Sequence, residues 1–401
     1  MFILEINSNS ISHYNFYYSP FISSIYSKSQ EILDVFKETI GSIVRDGFFL
    51  PLAGKLSIED QNRLKKEVLF YKDFWNTETS NNPHLPYLKE IQKHFSCKTE
   101  TTPIELNGKH LQVEYSLIES PKSTSKNTQN LVFILGNLST INNNIVAIYP
   151  FLASYLEKSK TDPSIAPLCV ISINQYSCSQ NGLMYKPKTL DESGEILTKT
   201  LKQIALIKGP ITQITGHSLG SIILASSLKT ATKEKDLLPL NIYFDRGPSS
   251  ISDMSKKLGL TGWVLLQIAK FSGWDIDVGL EIQKHLLNRT SQNIFISEVL
   301  NDYFFSENSS LCKSPYLQNL KPDQGIQRLS FDFAAQLYDE KAHHNIHNGN
   351  LDGHHLTPRQ PSLLKNDESM SDKIMSVFTR SQEPKRKSLL KLPLFKKFRL
   401  V

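Results

Sequence analysis

The 401-residue sequence predicts an α/β fold, a mostly parallel sheet with helices on both faces. Three observations predict it. Leu131–Leu135 is a continuous apolar run rather than an alternating one, as in a strand buried on both faces, Leu168–Ile173 is a second apolar run, and Leu240–Phe244 reads as a further strand. Segments of helical periodicity separate these runs, and that alternation favours parallel pairing through crossover connections. The string Gly216-His-Ser218-Leu-Gly220 joins a β-type run from Ile211 to a stretch with Leu219, Ile222, Ile223 and Leu228 at helical spacing.

Residues 1–100 read as a helical N-terminal extension. Gln30 to Ile43 carries Ile32, Leu33, Phe36, Ile40 and Ile43 at helical spacing, and Ser57-Ile-Glu-Asp60 resembles a capping box that opens a second helix reaching Trp75. Residues 101–380 read as the main domain. Thr102 to Glu119 alternates around Asn107-Gly108, a hairpin signal. After the run at 131–135 come a helix around Ile145 to Leu156, the strand 168–173, a helix from about Leu190 to Ile207 and the strand leading to Ser218. Strand 240–244 follows, then an unusually apolar helical region, 251–290, that is a candidate cap. Asn293–Val299 and Arg328–Phe333 are the last expected strands, Met370 to Phe378 is a further helix, and residues 381–401 are a basic tail.

Charge is distributed unevenly. The formal net charge is +6, yet seven basic residues and no acid lie between Pro384 and Val401, which leaves 38 basic against 39 acidic residues elsewhere. A near-neutral body gives no electrostatic support for nucleic-acid binding, whereas the tail, in which cations alternate with Leu and Phe, suits an anionic membrane surface. The cysteines Cys97, Cys169, Cys178 and Cys312 form no C-x-x-C pair, as expected of buried thiols in a reducing compartment. No apolar run has the length of a membrane span, and Met1-Phe-Ile-Leu-Glu5 lacks the basic start of a cleavable signal. The expected location is cytoplasmic, or outside the producing cell by a route that cleaves no signal peptide.

The chemistry centres on Ser218. Glycines at 216 and 220 leave no Cβ where a strand reverses sharply into a helix, so the serine Oγ is presented for attack. A serine nucleophile of this type needs an oxyanion donor before it and an acid, then a histidine, after it. Gly136-Asn137-Leu138 ends a strand, so the N–H of Asn137 or Leu138 is a candidate donor beside that of Leu219. Asp302, just past strand 293–299, is the candidate acid. Asp245, at the end of the preceding strand, is the alternative, and Glu298 is a further rival. Five histidines, His343, His344, His347, His354 and His355, crowd into thirteen residues. His354 is favoured as base because Gly353 precedes it in a tight loop, with His344, His347 and His355 left open. The cluster lacks the helical H-E-x-x-H spacing of a zinc site, so the site is expected to need no metal and no cofactor. His217 is expected to pack or to line the site rather than to act as base.

Gly136-Asn137, Gly216-His-Ser218-Leu-Gly220, Phe244-Asp245-Arg-x-x-Ser-Ser250, Gly273-Trp274-Asp275 and Asn301-Asp302 together resemble the α/β-hydrolase superfamily. More narrowly they are similar to lipase- and esterase-like effectors secreted by intracellular bacteria. The resemblance spans residues 100 to 356 and implies an α/β-hydrolase-type sheet and a serine hydrolase acting on an ester, with Ser218 as nucleophile and Asp302 as acid. The expected substrate is a small-molecule or lipid ester. A non-catalytic binding or scaffold protein of the same fold, and an acyltransferase using the same triad, are the alternatives that the sequence leaves open.

Overall fold

In the computed structural model the described residues are 20–44, 85–121, 123, 127–134, 148, 152, 155–156, 158–173, 179–180, 183–231, 241–255, 259–288, 293–299, 309–320 and 324–331. The expected helices at 57–75 and 370–378 and the basic tail lie outside them.

Among the described residues ten strands form one sheet. They are β1 (Ser96–Leu106), β2 (Lys109–Glu119), β3 (Gln129–Ile134), β4 (Leu168–Ile173), the short β5 (Ser179–Gln180) and β6 (Leu183–Met184), β7 (Ile211–His217), β8 (Asn241–Asp245), β9 (Asn293–Val299) and β10 (Ile326–Phe331). The spatial order is β10-β9-β8-β7-β3-β4-β2-β5-β6, with β1 paired to β2. From β4 through β3, β7, β8 and β9 to β10 every pairing is parallel, whereas β2 runs antiparallel to β1 and β4. The sheet is therefore mostly parallel, as expected.

Both faces of the sheet are covered, which explains the continuous apolar runs. Val132, Ile134, Cys169, Ile171, Ile214, Ile242, Phe244, Ile294 and Ile296 belong to the main core. Leu131, Phe133, Val170, Tyr243 and Phe295, at the intervening positions, are buried as well. Over the main core lie α3 (Leu190–Lys208) and α4 (Gly220–Ala231), which pack on each other, and α7 (Val278–Asn288), which packs on α4. Thr189 caps α3 by accepting the Glu192 N–H, and Gly209 ends it by donating to Ala205 O.

The remaining helices are α1 (Pro20–Val44), α2 (Leu85–His94), α5 (Ile251–Ser255), α6 (Gly259–Phe271) and α8 (Pro315–Gln318). Within region 251–290, expected to be helical, the described residues form the helices Ile251–Ser255, Gly259–Phe271 and Val278–Asn288, but its tryptophans part company. Trp274 is fully buried and donates Nε1–H to Lys188 O at 3.0 Å, while Trp263 on α6 is 58% exposed. α1 packs along α6, where Phe36 meets Phe271 edge to face at 6.1 Å. Among the described residues no helix is long and apolar enough to cross a membrane.

Candidate active site

The strand order fixes where a site belongs. β3 lies between β4 and β7, so the strand order reverses at β3, a topological switch point of the kind beside whose carboxyl ends open α/β sheets place their sites. Ser218 follows β7 directly and precedes α4. Its φ is 54°, in the left-handed region that a residue with a Cβ seldom occupies. From Gln213 to Leu228 every residue except Ser218 is buried. The local sequence thus turns one hydroxyl-bearing residue outward from an otherwise closed junction.

Close packing holds the bend. A Cβ on Gly216 would come within 3.0 Å of Gly220 O and Ser221 Cα, so the strand and helix meet across that glycine without room for a methyl group. Ser221 donates its N–H to Ser218 O at 2.9 Å and its Oγ–H to Gly216 O at 2.8 Å. Ser218 N–H donates to Asp245 O at 3.0 Å. Among the described residues no acceptor takes the Leu219 N–H, one of the donors that the first turn of a helix leaves unused and that suits a negative charge.

Strand register assembles a polar row beneath the bend. His217 pairs with Asp245 and Asp245 with Ser297, so three side chains on adjacent parallel strands share one face. Asp245 is fully buried at their centre. Its Oδ1 accepts from Arg246 Nε at 2.9 Å and from Ser297 Oγ at 2.9 Å; its Oδ2 accepts from Arg246 Nη2 at 2.6 Å and from His217 Nδ1 at 2.9 Å. Burial alone pushes the Asp245 carboxyl upward, but the Arg246 and His217 partners outweigh it and hold the group well below the usual carboxylate range. Arg246 Nη2 also lies 3.3 Å from His217 Nδ1. Since that nitrogen donates to the carboxylate, this approach is a packing contact between two donors.

Of the residues singled out in the sequence, the structure brings Ser218, Leu219, His217 and Asp245 together at the end of β7. Asn137, Leu138, Asp302, His343, His344, His347, His354 and His355 lie outside the described residues. Glu298 on β9 is buried and accepts from Ser310 Oγ at 3.0 Å. The sequence reading missed Arg246, Gly247 and Ser297. Asp245-Arg-Gly-Pro has the composition of an exposed turn, yet Arg246 is 2% exposed and a Cβ on Gly247 would meet Ser221 Cβ at 2.5 Å. The string Phe244-Asp245-Arg was the available signal. Burial pushes the Cys97, Cys169 and Cys312 thiols up to about 12, so these three stay protonated at neutral pH.

No protein-family model matches the chain, and no curated protein sequence does either. Solved structures similar to it include the esterase Pf2001 of Pyrococcus furiosus, at 12% identity over 61% of this chain and 85% of that one, with a TM-score of 0.38. One of two fungal esterases from Rhizomucor miehei is 13% identical over 80% of this chain and 90% of its own, with a TM-score of 0.44. The peroxisomal alpha-beta-hydrolase Lpx1 of Saccharomyces cerevisiae is 12% identical over 75% of this chain and the whole of its own, with a TM-score of 0.38. Likenesses this distant carry nothing about activity. The α/β-hydrolase-type fold rests on the chain's own strand order and on the sharp bend at Ser218.

Proposed function

We propose that the protein is a serine hydrolase of esterase or lipase type, cleaving an ester through an acyl-enzyme on Ser218. The observation that carries this reading is the backbone of Ser218, left-handed at φ 54° and partly exposed in a run of buried residues. A strained residue persists only where its surroundings over-determine it, and such strain clusters at functional sites. Ser218 Oγ attacks the ester carbonyl while a histidine of the 343–355 cluster, in this reading His354, takes its proton. Asp302 orients that imidazole, and the N–H groups of Leu219 and of Asn137 or Leu138 stabilise the oxyanion, each contributing about 2.7–4 kcal/mol. The histidine then returns the proton to the leaving alcohol, and water, activated by the same base, releases the acid and frees the serine.

The substrate in this reading is lipid-like. Ile32, Val35 and Phe36 on α1 and Trp263, Val264 and Phe271 on α6 are exposed apolar side chains on two packed helices, which supports contact with acyl chains. Replacing Phe36 and Trp263 together by serine is expected to lower turnover of long-chain emulsified esters at least fivefold more than that of short soluble ones. Equal losses on both would remove the support for a lipid substrate. The basic tail is proposed to add attachment to anionic lipid; unchanged binding to phosphatidylserine vesicles after deletion of residues 384–401 would refute that role.

Fluorophosphonate labelling with peptide mapping tests the central assignment. The wild type is expected to be labelled on Ser218 and the folded Ser218→Ala variant to be unlabelled and inactive on p-nitrophenyl esters. A folded wild type that resists labelling would favour a scaffold role. Ester products formed only when glycerol or a sterol is added would favour acyl transfer.

A further inference from the structure

We infer that Asp245 and Arg246 form a positioning clamp for the Ser218 bend. The inference rests on the reading of Ser218 as nucleophile and adds to it the device that aims the hydroxyl.

The side-chain bonds of Asp245 are the first argument. The carboxylate accepts two bonds from Arg246 and one each from His217 and Ser297, so it ties β7, β8 and β9 together directly beneath the bend.

Connectivity is the second. Only two backbone bonds hold residue 218 among the described residues, its N–H to Asp245 O and its C=O from Ser221 N–H. The first comes from the residue whose side chain is tied to Arg246, to β7 through His217 and to β9 through Ser297. The second comes from the residue on which Gly247 closes, with no space for a Cβ between them. Residues 245 to 247 therefore grip the bend from both sides. Leu311 N–H donates to Gly247 O at 3.1 Å and Arg246 N–H to Ser297 O at 3.1 Å, anchoring the grip in turn.

Strain is the third. Among the described residues three other than glycine have a positive φ: Asn107 in the hairpin turn, Ser218 and Arg246. The last two are linked through the peptide of residue 245. A buried ion pair is no more stabilising than an apolar replacement of similar volume, so stability alone does not explain why four polar groups converge here. Geometry does, because displacing a nucleophile by about 1 Å costs on the order of 10²-fold in rate.

The test measures fluorophosphonate inactivation of the full chain, separating the maximal rate kinact from the half-saturating concentration KI. The variants are Asp245→Asn/Arg246→Met, which removes both buried charges at once, and Arg246→Lys, which keeps the charge but not the two-pronged grip. Folding is followed by circular dichroism. The double variant is expected to melt cooperatively and to show kinact at least tenfold lower with KI unchanged; Arg246→Lys is expected to fall between it and the wild type. A folded double variant that reacts within twofold of the wild type overturns the inference and leaves the cluster as packing. If the double variant does not fold, Ser297→Ala decides: a kinact at least threefold lower at unchanged KI supports the clamp, and an unchanged kinact overturns it. Absence of labelling on Ser218 in the wild type instead overturns the hydrolase reading beneath it.

Discussion

At the scale of single residues, the left-handed backbone of Ser218 makes a stability prediction separate from chemistry. Alanine normally exceeds glycine in stability by restricting the unfolded chain, but at positive φ the order reverses. Ser218→Gly is therefore expected to be more stable than Ser218→Ala by about 1 kcal/mol in denaturant melts. The opposite order would mean that residue 218 is not held in the left-handed region. Gly247→Ala places a methyl group against Ser221 Cβ, 2.5 Å away, and is expected to destabilise by about 1–3 kcal/mol, with slower labelling of Ser218. Ser218 was legible from its own sequence because glycine spacing and a change of period mark a strand-to-helix bend. Arg246 was not, because a charged residue before Gly-Pro has the composition of a surface turn. Its partner Asp245 is its sequence neighbour, but only the register of β7, β8 and β9 sets His217 and Ser297 on that carboxylate in a buried row.

At the scale of elements, the row across β7, β8 and β9 ties stability to pH. The unfolded Asp245 carboxyl titrates at about 3.9, and the folded one lies well below that. Between those values the unfolded chain holds a proton that the native state does not, so acid favours unfolding. The contribution is complete above the unfolded value and is lost as pH falls through the folded one. Asp245→Asn/Arg246→Met is expected to lose less stability than the wild type between about pH 5 and pH 3, measured by urea melts; parallel curves would show that Asp245 carries no such linkage. Asp245→Asn alone removes the charge that balances the buried Arg246 guanidinium and is expected to cost about 3–5 kcal/mol. Element boundaries were legible wherever burial imposes a period. β1 begins at Ser96 rather than near Thr102, because its first half is exposed or only partly buried and pairs through backbone groups that leave no apolar alternation. α1 likewise starts at Pro20, well before the periodic stretch at Gln30.

At the scale of the whole molecule, the architecture follows from one physical requirement. A sheet covered on both faces demands continuous apolar strands, and parallel pairing demands helices between them, so strand type and crossover pattern are both written in the chain. The spatial order is not written there. That β3 lies between β4 and β7, and so places the switch of strand order beside Ser218, depends on which helices cover which face. The same limit hid the fate of the two tryptophans. Trp263 and Trp274 stand in one apolar stretch, but only Trp274 has a buried acceptor, Lys188 O, for its indole N–H.

The most direct measurement is covalent labelling of the intact, folded chain with a fluorophosphonate, followed by peptide mapping of the modified residue. A single adduct on Ser218, abolished in a folded Ser218→Ala variant, is the expected result. An adduct on another residue, or labelling that survives the substitution, would contradict the assignment of this hydroxyl as the nucleophile.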